Sequence, residues 1–173
     1  MERKWVIAIS FLSTLFVGSL AQAQAVIGDV VFLDFDSKTF SGNFCQPYFG
    51  NQSADFQHRI DGTVNVSGGL RYVSCPVIRD NTSNTTGTGF SLTVSVNNIA
   101  GQTLRCYLRS NDMFGNFIQQ DTDSTNLGGN QKLIMQVSQG AAGGNYSVYC
   151  YLPNLARIGG YQLFEFKPTD SFN

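Results

Sequence analysis

The segment YSVYCYLP, residues 146–153, alternates with the two-residue period of extended backbone. Tyr146, Val148, Cys150 and Leu152 fall on one side, and Ser147, Tyr149 and Tyr151 on the other. The pattern predicts a half-buried β-strand with its cysteine turned inward. TLRCYLRS, residues 103–110, repeats the arrangement, with Leu104, Cys106 and Leu108 inside and Arg105, Tyr107 and Arg109 outside. FSLTVSV, residues 90–96, sets Phe90, Leu92, Val94 and Val96 against Ser91, Thr93 and Ser95. Further strands are predicted at 25–35, 62–67, 70–75, 132–138 and 161–166, with a shorter one at 117–120. Gly68-Gly69 reads as a tight hairpin or bulge between two of them. Residues 80–89 and 121–130 read as polar loops. No useful helical periodicity appears outside the N-terminal apolar run. About eight or nine short strands separated by turn residues define an all-β chain, an antiparallel β-sandwich of jelly-roll or immunoglobulin-like type.

The chain has four cysteines, Cys45, Cys75, Cys106 and Cys150. None has the CxxC spacing of a zinc knuckle or a redox dithiol. An even number reads first as two bridges, with three pairings open. The matched contexts Leu104-x-Cys106-x-Leu108 and Val148-x-Cys150-x-Leu152 favour a Cys106–Cys150 staple between neighbouring strands, which leaves Cys45 for Cys75. The first closure would stabilise the fold by about 4 kcal/mol in the chain-entropy picture.

Residues 1–23 begin with the basic pair Arg3 and Lys4, continue through an apolar run at 5–20, and end in small-x-small patterns around Ala21, Ala23 and Ala25. This is the pattern of a secretory signal peptide of bacterial type. Residues 24–173 are then one mature β-sandwich domain, secreted or periplasmic, with no membrane span of its own. Export would place the cysteines where disulfides persist. The chain carries 11 Lys and Arg against 12 Asp and Glu. That balance offers no basic excess for releasing counterions, so nucleic acid is not an expected partner. The N-x-S/T patterns at Asn51, Asn65, Asn81, Asn84 and Asn145 follow from a chain rich in Asn, Ser and Thr.

Catalytic chemistry has few carriers. His58 is the only histidine, so a hydrolase would have to use it, with Asp55 or Asp61 as orienting carboxylate; no GxSxG motif is present. A zinc hydrolase needs more ligands than one histidine supplies. In QQDTDSTN, Asp121 and Asp123 alternate so that their oxygens can converge on a hard cation, which makes Ca2+ the one cofactor expectation. Asp34 and Asp36 alternate similarly. The outward residues offer more. Tyr107, Tyr149 and Tyr151, flanked by Arg105 and Arg109, can form an aromatic platform for an extracellular glycan or protein. Tyr48, Phe49, Phe56 and Tyr72 form a second aromatic group near Cys45 and Cys75.

The segment YVSCPVIRD, residues 72–80, resembles an element of small exported bacterial domains of unassigned function. In those domains an early Cys precedes a V-x-C-P-[VL]-x-R strand, and a Cys-bearing strand and a Cys-Tyr-x-hydrophobic-Pro strand follow. The matching pieces here are Cys45, residues 73–79, 104–108 and 149–153. The resemblance implies a disulfide-bearing β-sandwich and no activity. Chaperone–usher pilins and coat-type subunits are a looser comparison, and their C-terminal strand differs from EFKPTDSFN. The leading expectation is a non-catalytic exported binding or structural protein; the alternatives are a pilin-like or coat-like self-assembling subunit and a secreted hydrolase using His58.

Overall fold

The computed structural model describes residues 33–78, 86–141 and 143–168, with side chains described at 37–78, 90–141 and 143–165. The expected signal peptide lies outside the described residues. The strands are β1 (Leu33–Ser41), β2 (Gln46–Pro47), β3 (Phe56–Arg59), β4 (Gly62–Asn65), β5 (Arg71–Pro76), β6 (Thr86–Asn98), β7 (Leu104–Asn111), β8 (Phe117–Thr125), β9 (Gly129–Gln139), β10 (Asn145–Leu152) and β11 (Arg157–Pro168). Short 3-10 turns occupy Gly42–Phe44 and Gly50–Asp55.

All pairings are antiparallel and build two sheets. Sheet one runs β3-β4-β11-β6-β9, and β1 pairs with the length of β11 beyond β4. Sheet two runs β2-β5-β10-β7-β8. The period-two faces meet as the alternation predicts. Phe90, Leu92, Val94 and Val96 of β6, with Leu133, Met135 and Val137 of β9, are buried against Leu104, Leu108, Val148 and Leu152 of sheet two. Phe90 stacks on Tyr146 with ring centroids 4.0 Å apart. On β11 the alternation slips between Ile158 and Gly160, at Gly159-Gly160, so Ile158 and Tyr161 both enter the core although three residues apart.

Both disulfides form as expected, Cys45–Cys75 and Cys106–Cys150. Cys106 lies directly opposite Cys150 in the β7–β10 register. The same strand geometry brings Cys45, one residue before β2, beside Cys75 on β5. The bridges therefore pin strands within sheet two. Their sequence separations of 44 and 30 residues correspond to about 4 kcal/mol each in the chain-entropy picture.

Three sets of polar contacts join the sheets. The buried Tyr161 hydroxyl donates to the Pro76 carbonyl at 2.6 Å, and burial pushes its pKa up to about 12. Asn65, fully buried at the end of β4, donates from Nδ2 to the carbonyls of Leu152 and Gly69, both at 2.7 Å, and its Oδ1 accepts Ser67 N–H at 2.9 Å. That burial removes the Asn65 sequon from reach in the folded chain. The third set runs along the opposite side. Side chains of β8 accept backbone N–H groups of β9: Asp123 from Ile134 at 2.8 Å, Asp121 from Gln136 at 2.7 Å, and Gln119 from Ser138 and Gln139, both at 2.9 Å. A side-chain ladder thus covers the outer edge of β9.

Two expectations are corrected. Residues 121–130 are not a loop: β8 continues to Thr125 and β9 begins at Gly129. The DTDST segment has strand geometry because β7 pairs with its backbone and its carboxylates serve β9. Gly68-Gly69 makes no hairpin, since β4 and β5 belong to different sheets and the segment crosses between them, fastened through Asn65. The hairpin is β3–β4, which closes at Gly62, where φ is +128° and an added Cβ would strike the Ile158 carbonyl. The strand expected at 25–35 is described from Leu33, where β1 runs on to Ser41; residues 25–32 lie outside the described residues.

Two outcomes follow for these buried polar ties. Tyr161 has a folded-state pKa above its unfolded value of 10.0. Its contribution is therefore complete below pH ~10 and is lost as pH rises through ~12, an effect of about 3 kcal/mol. Denaturant midpoints between pH 8 and 12 should show this alkaline loss, and Tyr161→Phe should flatten it. Asn65→Ala removes the side-chain donor to the Leu152 carbonyl and the acceptor of Ser67 N–H, while the Gly69 carbonyl keeps the Ser67 hydroxyl at 3.1 Å, and should lower unfolding free energy by about 2 kcal/mol in urea titrations.

Candidate functional site

The outward face of sheet two gathers the aromatic residues. Register places Tyr72, Tyr151, Arg105 and Ser124 in one row across β5, β10, β7 and β8. The next row is Ser74, Tyr149, Tyr107 and Thr122; the third is Pro76, Ser147, Arg109 and Gln120. Tyr107 and Tyr149 stack at 5.0 Å with an interplanar angle of 17°, and Tyr107 meets Tyr151 edge-on at 5.4 Å. Tyr72 meets Tyr151 at 4.0 Å.

Tyr48 and Phe49, carried beside the sheet by the β2 segment, extend this cluster. Phe49 packs edge-on against Tyr72 at 5.8 Å, and Tyr48 lies 6.4 Å from Tyr149. The two aromatic groups read separately from the sequence are therefore one surface. Phe56 is the exception, since it is buried in the core. Between the rings lies a groove of about 470 Å³, lined by Tyr48, Phe49, Tyr72, Tyr149, Tyr151 and Arg109, with Ser74, Asn111, Gly115 and Ser147 also on its wall. Those four small or polar residues carry no signal in the sequence; they enter because register places them beside the tyrosines.

The site is polar at its rim and held in place. Tyr149 Oη donates to Gln120 Oε1 at 2.8 Å. The Tyr151 phenol is pushed above its ordinary pKa, first by its hydrogen bond to Tyr72 and then by burial, against opposing pulls from Tyr107 and Arg105. Arg109 lies over the Phe117 ring, 4.8 Å from guanidinium carbon to centroid. Its Nε is enclosed and has no hydrogen-bond partner. At the Gly115 end, Asp112 orders the β7–β8 turn. Its carboxylate accepts Phe114 N–H at 2.9 Å, Asn116 N–H at 2.7 Å and the Asn116 amide at 2.8 Å. The Asn116 side chain is the first cause holding the Asp112 carboxyl below its ordinary pKa.

The other expected sites take different forms. Both Asp121 and Asp123 use one oxygen on the following backbone N–H, at 2.8 and 2.7 Å, and the other on β9. Their alternation, expected to converge on Ca2+, instead meets the two-residue spacing of N–H donors along a strand edge. Among the described residues no group of three or more His, Cys, Asp or Glu is placed to hold a metal. The side chains of Asp34 and Asp36 lie outside those described. His58 is exposed on β3 and lies 2.8 Å through Nδ1 from Thr63 Oγ1. The Thr63 hydroxyl donates its only proton to the Gly42 carbonyl at 2.9 Å. The histidine contact must therefore be donated by Nδ1–H, which fixes the tautomer of the neutral ring. Thr63 is fully buried. The expected orienting carboxylates are engaged elsewhere: Asp55 with Arg71 Nε at 2.6 Å, and Asp61 with Arg157. The His58-centred arrangement of a hydrolase is not assembled among the described residues.

No protein-family model matches the chain, and no curated protein matches it in sequence. The fold and disulfides define the class, an all-β antiparallel sandwich with two disulfides. Among the described residues no helix is long and apolar enough to cross a membrane.

The β8–β9 ladder generates its own test. Replacing both carboxylates, Asp121→Ala with Asp123→Ala, strips two acceptors from β9 and should cost about 2 kcal/mol. The uncovered edge should then appear as concentration-dependent association in sedimentation velocity, whereas Ser124→Ala, on the opposite face of β8, serves as control.

Proposed function

We propose that the protein is an exported, non-catalytic binding module whose tyrosine groove on sheet two takes an extracellular saccharide. The observation that carries this reading is the joining of Tyr48, Phe49, Tyr72, Tyr107, Tyr149 and Tyr151 into one aromatic surface with a hydroxyl and amide rim. Ring faces and edges pack against the C–H surface of a sugar, while phenols, Ser74, Ser147 and Asn111 offer partners to its hydroxyls. Sheet two is paired throughout its centre, so its outward face presents side chains rather than free backbone. That favours a ligand recognised by ring contact and side-chain hydrogen bonds over an extended peptide added as a strand.

Export is supported by the leader-like pattern of residues 1–23 and by two disulfides, which persist in oxidising compartments. The resemblance of residues 72–80 to exported bacterial domains points the same way.

Tyr149→Ala with Tyr151→Ala should reduce glycan-array retention at least about ten-fold, the loss expected when two ring contacts near 1 kcal/mol each are removed. Circular dichroism should show the sandwich retained. Undiminished retention in a folded double variant would overturn the groove as the binding site.

A further inference from the structure

The charges around β8 are sorted by face. Its inward-turned Asp121 and Asp123 bond to β9, whereas Gln120, Thr122 and Ser124, opposite Arg109, Tyr107 and Arg105, are neutral. The three rows of the tyrosine face contain two arginines and no carboxylate. In a chain whose formal net charge is −1, this is a local cationic surface.

Arg109 is its focus. It lines the groove beside Ser147 and Tyr149. It forms no side-chain hydrogen bond or ion pair among the described residues, and its enclosed Nε has no acceptor. A partly desolvated guanidinium, steadied over Phe117 and lacking an acceptor, is poised for an anion with planar oxygens. Arg105 lies two residues away on the same face, next to Tyr151.

We propose that the ligand is a carboxylate-bearing saccharide, a uronic or sialic acid unit of an extracellular glycan, with its ring among the tyrosines and its carboxylate on Arg109. This rests on the saccharide reading and adds the ligand's charge to it. The terminal N–H groups of Arg109 pair with the two carboxylate oxygens, Arg105 adds longer-range attraction, and the three described rows of the face set no acidic side chain against the ligand.

The test uses the oxidised chain and matched probes: oligogalacturonate and sialyllactose, each beside its methyl ester, with neutral galacto-oligosaccharides as a third arm. Calorimetry at low salt should show each acid binding about ten-fold or more tightly than its ester, the scale of one charge-assisted contact. The preference should shrink as salt is raised. Arg109→Gln should abolish it, and Arg109→Lys should retain part of it. Equal affinity for acid and ester, or a preference that survives Arg109→Gln, overturns the proposal. The ester comparison on the unmodified chain decides even where a variant fails to fold. Binding of neutral sugars without any acid preference removes this inference and leaves the saccharide groove standing. Retention of no saccharide in any arm removes both.

Discussion

The ladder from Gln119, Asp121 and Asp123 to the N–H edge of β9 is the contact on which the architecture and the site both turn. A two-sheet sandwich leaves strand edges whose backbone groups attract another strand. Here the edge strand of one sheet closes the edge strand of the other with side chains. The geometry works because acceptors spaced two residues apart on β8 match donors spaced two residues apart on β9. A run of polar residues is thereby held extended without burying an apolar side chain of its own.

The same contact determines the character of the other face. A strand can turn Asp121 and Asp123 toward β9 only by turning Gln120, Thr122 and Ser124 away. The tyrosine face therefore faces no carboxylate from β8, and Arg105 and Arg109 keep their charge uncompensated on that side. Closure of the fold and the electrostatics of the groove are two results of one parity. At the end of the same hairpin, Asp112 holds the turn that carries Gly115 into the groove wall.

Much of this was legible in the sequence wherever apolar and polar residues alternated. The inward cysteines, the outward Tyr107, Tyr149 and Tyr151, and the Cys106–Cys150 pairing follow from period-two reasoning, because burial on one face enforces it; Cys45–Cys75 then follows by elimination. The start of β8 was legible at 117–120 but its continuation to Thr125 was not, since its inward residues are polar and its partner edge is distant in the chain. Gly68-Gly69 misled for a related reason. A glycine pair looks the same in a hairpin and in a crossing between sheets, and the choice is made by buried Asn65, bonded to Leu152 far along the chain. The union of Tyr48 and Phe49 with the other tyrosines depends on β2 pairing to β5, another long-range event. The roles imagined for Asp55 and Asp61 failed because their arginine partners, Arg71 and Arg157, are brought to them by the fold.

The repeated Cys-Tyr dipeptide links stability to the site. Cys106 and Cys150 face each other beneath the sheet; their neighbours Tyr107 and Tyr151 project above it, with Tyr107 opposite Tyr149. A slip of β10 by one residue against β7 would turn Tyr149 and Tyr151 into the core and Cys150 out of it. The covalent bond between the two cysteines forbids that slip, and Cys45–Cys75 holds β2, with Tyr48 and Phe49, against β5 in the same way. The rings are therefore positioned before any ligand arrives, and less ordering entropy remains to be lost on binding. The cysteines carry no chemistry in the groove; they set the register that makes it.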